Sequence, residues 1–336
     1  MIPPAKASPK SMYGPRGVFY DGNVLAVADT GNHRVLLWFS LPKKNHAEAD
    51  VVLGQRDFLS DSPNAGGDPS RGLYMPCGVV IHEGRLIVAD SWNHRILIWD
   101  SIPEKNFTPP DHVVGQPNLT STEPSKGRKA KLYRFFWCYG VNIIDEYLLV
   151  CDTGNRRVIG WKGIPDYGQK PDILLEGEDM FFWPHSIAGN KDLVFIADAG
   201  KHRVLGWRGI ENLASKPSVI LGQRDMSSEE YINGPQSASS LRFPYGVSLG
   251  IDVLAVADTA NNRVLTWAPP PSQGSYIPAN GLVGQESFKD AGENRWKGVR
   301  EDTLCWPYGV HVYGDLIFIA DTGNNRVVIW RRELIF

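Results

Sequence analysis

Apolar residues in this chain come in short runs, and polar turn residues cut every run. Residues 78–116 display the unit: "GVVI" (78–81), "RLIVAD" (85–90), "HRILIWD" (94–100) and "HVVGQ" (112–116). Runs this short, bounded by Gly, Asn and Asp, read as β-strands, and connections this tight favour antiparallel neighbours. A lone sheet of four such strands leaves two apolar faces uncovered, so it must stack against copies of itself.

The copies are present. "VADTGNHRVLLW" (27–38) returns as "VADSWNHRILIW" (88–99), "VCDTGNRRVIGW" (150–161), "IADAGKHRVLGW" (196–207), "VADTANNRVLTW" (256–267) and "IADTGNNRVVIW" (319–330). Six sheets stacked radially leave only short edges, which predicts an all-β, six-bladed β-propeller of four-stranded antiparallel blades spanning residues 1–336 as one domain. After Trp330 only "RRELIF" follows. The sixth blade therefore either takes its outer strand from residues 2–12 or stays open; the prolines of "PPAKASPK" suit a ladder poorly.

Each copy carries an acid and, five residues on, an arginine: Asp29 and Arg34, Asp90 and Arg95, Asp152 and Arg157, Asp198 and Arg203, Asp258 and Arg263, Asp321 and Arg326. A catalytic acid is not needed six times around one ring, so these pairs are expected to be structural, bidentate ion pairs closing the hairpin between the second and third strands. Asn32 and its counterparts at 93, 155, 261 and 324 are expected to take the left-handed turn position. His33, His94 and His202 share a slot with Arg156, Asn262 and Asn325 and read as solvated turn side chains. The tryptophan nine residues after each Asp is expected to lie between blades.

Function is expected where the copies differ. Thirteen residues before each Asp stand Arg16, Cys77, Tyr139, His185, Tyr245 and Tyr308, a set without a common chemistry, placed where the inner strands begin at the channel mouth. They make a candidate polar binding ring. Top connections are the second variable element. The one between the third and fourth units is short, leaving 46 residues from Asp152 to Asp198, and should notch the crown beside His185. Phe135, Phe136 and Trp137, and Phe181, Phe182 and Trp183, flank that notch as candidate partner contacts.

The [VI]-[AC]-D-x-x-[NK]-x-R-[VI] pattern resembles the NHL repeat over nearly the whole chain. That resemblance implies a propeller fold and a wide range of functions, from enzymes to RNA binders, sensors and scaffolds. Some bacterial members are encoded beside redox metalloenzymes such as hydrogenases, which implies a protein partner of that kind. "PHSI" (184–187) is similar to segments of the peptide-amidating lyases, in which such histidines bind a central zinc. Only His185 of the six ring residues is a histidine, and adding Cys77 gives two ligands where catalytic zinc uses three. Gluconolactonase-type propellers place carboxylates around the channel, and this ring has none.

Composition narrows the choice. The net charge is −2, so no global field draws nucleic acid or anionic membrane. "SKGRKAKLYRFFW" (125–137) mixes basic and aromatic residues and is the one segment that suits RNA. No run approaches membrane-spanning length, the first residues lack an apolar leader, and the four cysteines form no CxxC pair, which together lead us to expect a cytoplasmic protein. The reading favoured is a non-catalytic scaffold or accessory subunit, without cofactor, that meets a protein partner through its top loops and channel mouth. A metal-dependent lyase or hydrolase and an RNA binder are the alternatives.

Overall fold

The computed structural model describes residues 6–127, 130–177, 179–228 and 235–332, which form six antiparallel blades in a ring. The first blade sets the pattern, with inner strand Gly17–Tyr20, second strand Leu25–Asp29, third strand Arg34–Trp38 and outer strand Val51–Leu53. Blades two to five repeat this order. The fourth gains a two-residue parallel strand, Gly274–Ser275, lent by a loop of the fifth. Among the described residues the sixth has three strands, Pro307–Tyr313, Leu316–Asp321 and Arg326–Arg331.

The described part of the chain start does not complete the sixth blade. Residues 6–12 form no strand. The Ser8 and Ser11 carbonyls instead accept hydrogen bonds from the Arg34 guanidinium at 3.0 and 2.9 Å, as Pro69 and Gly72 do from Arg95. The segment thus copies the loop that enters every other inner strand, and that role engages its backbone. Residues 2–5 and 333–336 lie outside the described residues.

Apolar clusters fill all six blade interfaces. The ring closes where Val18, Tyr20 and Val27 of the first blade meet Phe318 and Ala320 of the sixth. Across the same seam the Gly14 N–H donates to Asn325 Oδ1 at 2.8 Å. The repeated tryptophans do lie between blades, and five of them also donate an indole N–H to a loop carbonyl, as Trp99 does to Thr108 at 3.1 Å.

Among the described residues, four of the six Asp–Arg pairs tie three loops together, those of Arg34, Arg95, Arg203 and Arg263. Asp29 Oδ2 accepts from Arg34 Nε at 2.6 Å and Asn32 Nδ2 at 2.8 Å, while Oδ1 accepts the Tyr13 N–H at 2.6 Å. The pair is not bidentate. Arg34 turns its remaining donors to the carbonyls of Phe58, Ser8 and Ser11, and both side chains are fully buried. A charge taken wholly from water is tolerated only when every lone pair and proton finds a partner, and here the loop backbones supply them.

The turn between Asp and Arg departs from expectation by one residue. Asn32 sits in a short 3-10 turn, and the left-handed position is the next residue: His33, His94, Arg156, His202, Asn262 or Asn325, with φ of 52–58°. Nor are these side chains solvated where they are histidines of the second and fourth blades, since His94 and His202 are buried. Their ring Nδ1 atoms accept backbone N–H groups of the following blade, Trp137 at 3.0 Å and Phe243 at 2.9 Å, and His33 accepts from Met75 at 3.1 Å. Asn262 and Asn325 use Oδ1 the same way, on Trp306 and Gly14. The turn is an interblade clasp.

Removing the guanidinium leaves a buried carboxylate uncompensated. Arg95→Met should lower unfolding free energy by about 3–5 kcal/mol in a urea titration. Arg326→Met should cost distinctly less, because the Arg326 side chain is 26% exposed and water can solvate what it leaves.

Candidate functional site

Five of the six inner strands begin with a disruption of their pairing, while the first blade pairs regularly from Gly17 on. In the third blade Cys138 pairs with Asp152 and Gly140 with Cys151, so Tyr139 is the extra residue of a β-bulge. His185 and Tyr245 are extra in the same way, and the shift in the second and sixth blades falls at Cys77–Gly78 and Tyr308–Gly309. A bulge re-aims a side chain, and in these five blades it turns one toward the axis, while in the first Arg16 stands just before the inner strand and lines the same cavity. The bulge is pinned from outside, because Oδ1 of every repeated Asp holds the backbone N–H three residues before the ring residue.

The following glycine lets the blades close on the axis. A Cβ on Gly78 would stand 2.8 Å from the Tyr139 carbonyl oxygen, and one on Gly140 2.6 Å from that of His185. The fourth blade has Ser186 at this place, whose hydroxyl accepts the Val247 N–H at 3.3 Å.

The six ring residues touch one another in blade order. Tyr139 stacks on His185 at 4.6 Å with planes 9° apart, His185 meets Tyr245 at 4.5 Å, and Tyr245 stacks on Tyr308 at 4.2 Å and 5°. The Arg16 guanidinium lies over the Tyr308 ring, 4.6 Å from its centre, and close to the Cys77 thiol, which donates to the Met75 carbonyl at 3.4 Å. Together with the inner strands they line a cavity of about 100 Å³.

Burial dominates the electrostatics of this ring. It pushes the His185 pKa down to about 3, with the positive charge of Arg16 adding to the effect, so the imidazole is neutral. It raises the Cys77 thiol, which Arg16 only partly offsets, and it raises Tyr139 to about 12. Neither a thiolate nor an imidazolium is present near neutral pH. No three His, Cys, Asp or Glu side chains among the described residues are grouped to hold a metal ion, and His185 and Cys77 gain no third donor.

Around the ring stands a crown of aromatic side chains. Two residues before the ring positions lie Gly14, Met75, Trp137, Trp183, Phe243 and Trp306. Trp137, Trp183 and Trp306 are exposed, and Trp92 joins them 6.3 Å from Trp137. Met75, Trp137, Phe243 and Trp306 hold positive φ of 49–52°, rare for bulky residues, and the interblade clasp fixes each of them there. Trp183 escapes this conformation. Its short connection lets both Phe182 and Trp183 donate to Asp198 Oδ1 at 2.9 Å, while Arg156, in the clasp slot, lies over the Phe182 ring.

The expected top-loop set divides. Phe135 and Phe181 are buried in the interblade core, whereas Trp137 and Trp183 face solvent and Phe136 and Phe182 lie between. Trp92, Phe243 and Trp306 were absent from that set, although the same count from each ring residue finds Phe243 and Trp306. In the basic segment, Arg128 and Lys129 lie outside the described residues. Arg134 donates inward to Gln116 Oε1 and the Glu123 carbonyl, and Lys126 lies over Phe136. The side chains that would meet phosphate are thus partly committed to the fold. No helix among the described residues is long and apolar enough to cross a membrane.

Fold and ring together define a six-bladed β-propeller. The NHL repeat family model matches residues 73–99, in the second blade. Among solved structures the WD40 β-propeller domain of Doa1 is similar, at 10% identity over 95% of this chain and 93% of that one, with a TM-score of 0.52. The hydrazine synthase of Kuenenia stuttgartiensis is similar at 10% identity, 95% and 96% coverage and a TM-score of 0.52. U3-55K is similar at 11% identity, 95% and 77% coverage and the same TM-score of 0.52. These likenesses are of fold. No curated protein matches the chain in sequence.

The clasp makes the crown sensitive to acid. Burial, aided by Arg134 and Lys126, pushes the His94 pKa down to about 4. Unfolded, His94 titrates near 6.5 and binds more protons than it does folded, so its contribution is complete above about pH 6.5 and falls away as the pH drops toward 4. Between pH 7 and 5 this one residue should cost on the order of 2 kcal/mol. His94→Asn, which copies Asn262, should keep the clasp and lose that share of the pH dependence, as read from urea titrations at both pH values.

Proposed function

We propose that this protein is a non-catalytic, cytoplasmic scaffold or accessory subunit that docks a partner protein on the top face of its propeller. The observation that carries the reading is the segregation of exposed tryptophan. Trp92, Trp137, Trp183, Trp296 and Trp306 all belong to top turns or connections, and Trp296 is 81% exposed. A solvent-facing indole is unfavourable for an unpartnered surface and is among the side chains most enriched at binding hot spots.

The backbone supports the same reading. Asn294, Arg295 and Trp296 are three consecutive residues at positive φ. In the first connection the corresponding turn is Asn64, Ala65 and Gly66, and both turns are tied to the next blade, through Asn64 with Asn93 and Asn294 with Asn324. A tryptophan where the sister loop has glycine costs strain, and strain of this kind concentrates at working surfaces.

The ring beneath suits binding better than chemistry. It offers a neutral imidazole, a protonated thiol and protonated phenols, with no carboxylate to act as acid or base.

The test compares a Trp137→Ser, Trp183→Ser, Trp306→Ser triple variant with Ile251→Ser, which alters a 99% exposed residue in a turn at the opposite end. Proteins captured by wild type and Ile251→Ser should be lost at least tenfold with the triple variant. Equal capture by all three would overturn the reading. Each indole is expected to contribute ~1–2 kcal/mol to the affinity.

A further inference from the structure

Arg16 is a cation without an anion. Its guanidinium offers five N–H donors in a planar fork, yet what it lies against is the face of Tyr308 at 4.6 Å, with the neutral Cys77 thiol nearby. The contrast with Arg34 is sharp, since that buried guanidinium has a carboxylate and three carbonyls. No carboxylate lines the cavity that Arg16 faces, and none among the described residues pairs with it. Every other titratable member of the ring is neutral near pH 7, so the mouth carries one net positive charge in a half-buried setting.

We propose that the channel mouth binds a single carboxylate, carried by the partner's peptide chain and held by Arg16 against the phenol ring of Tyr308. This inference rests on top-face docking and names the chemistry that would reach the axis. The charge selects the ligand. One guanidinium is matched by one monoanion, whereas a phosphate dianion would need a second cation, and the ring has none to give. The geometry agrees, because a planar fork offers two parallel N–H donors to the two oxygens of a carboxylate. The cavity of about 100 Å³ has room for that group and its first carbons in place of water. Aromatic side chains above the mouth would cover the rest of the segment and exclude solvent, which strengthens the ion pair below.

Acetate is the probe. Thermal midpoints and titration heats are compared for sodium acetate, phosphate and chloride at equal ionic strength and pH 8, on wild type, Arg16→Gln, Arg16→Lys and Ile251→Ser. Wild type should show a saturable acetate response above that of chloride, with phosphate giving no more than chloride. Arg16→Gln should weaken acetate binding at least tenfold, Arg16→Lys should keep part of it, and Ile251→Ser, at the opposite end, should keep it all. An acetate response that survives Arg16→Gln, or is missing from wild type, overturns the site. A phosphate response that exceeds acetate and depends on Arg16 overturns the carboxylate assignment. If the triple tryptophan variant captures partners normally while acetate still needs Arg16, the docking reading falls and the carboxylate site stands.

Discussion

The buried ion pair between each repeated Asp and the arginine five residues later is the constraint on which the rest of the molecule depends. Its carboxylate satisfies the turn and the backbone leading into the inner strand, while its guanidinium holds the carbonyls of that entering segment and, in four blades, of the connection that follows the outer strand. An ion pair hidden from water gains little stability in itself, since desolvation takes back most of the attraction. What it adds is specification. Three loops with no regular structure are given one arrangement, and that arrangement decides where the strand bulges and which side chain turns to the axis. Invariant and variable parts are therefore coupled: the same Asp repeats so that the residue it positions need not.

Much of this was legible in the sequence, because repetition acts as a ruler. Six copies revealed the blades, the ion pairs and the six ring positions by counting. The stacking of those residues was not legible, since Tyr245 and Tyr308 are 63 positions apart and become neighbours only when the sixth blade packs on the fifth. The left-handed residue was misplaced by one, because asparagine fits that role by propensity while its side chain is needed by the carboxylate. His94 and His202 read as solvated for a related reason: a polar residue in a turn looks exposed until the next blade is set against it. Phe135 and Phe136 show the same limit at its shortest range, one buried and the next half-covered, with nothing in composition to separate them.

The two ends of the propeller do different physical work. At the lower end, loops between the third and outer strands are held by indole N–H groups that reach only their own blade, as Trp99 reaches Thr108. At the upper end contacts also cross blade boundaries, through clasp residues, ring stacking and the Asn64–Asn93 and Asn294–Asn324 pairs. Large aromatic side chains at positive φ persist there because the neighbouring blade holds them. Rigidity of that kind lowers the entropy lost when a surface meets a partner.

The seam between the first and sixth blades gives this arrangement a mechanical side. Among the described residues no strand is shared across it, so the circle is held there by side-chain packing and a few hydrogen bonds. Arg16 and Tyr308 face each other over that joint. Anything that binds to both works as the pin of a buckle, resisting the separation of the two chain ends. Occupancy of the mouth and the persistence of the closed ring would then be one linked equilibrium, with the protein's lifetime as a closed circle set in part by how often the pin is in place.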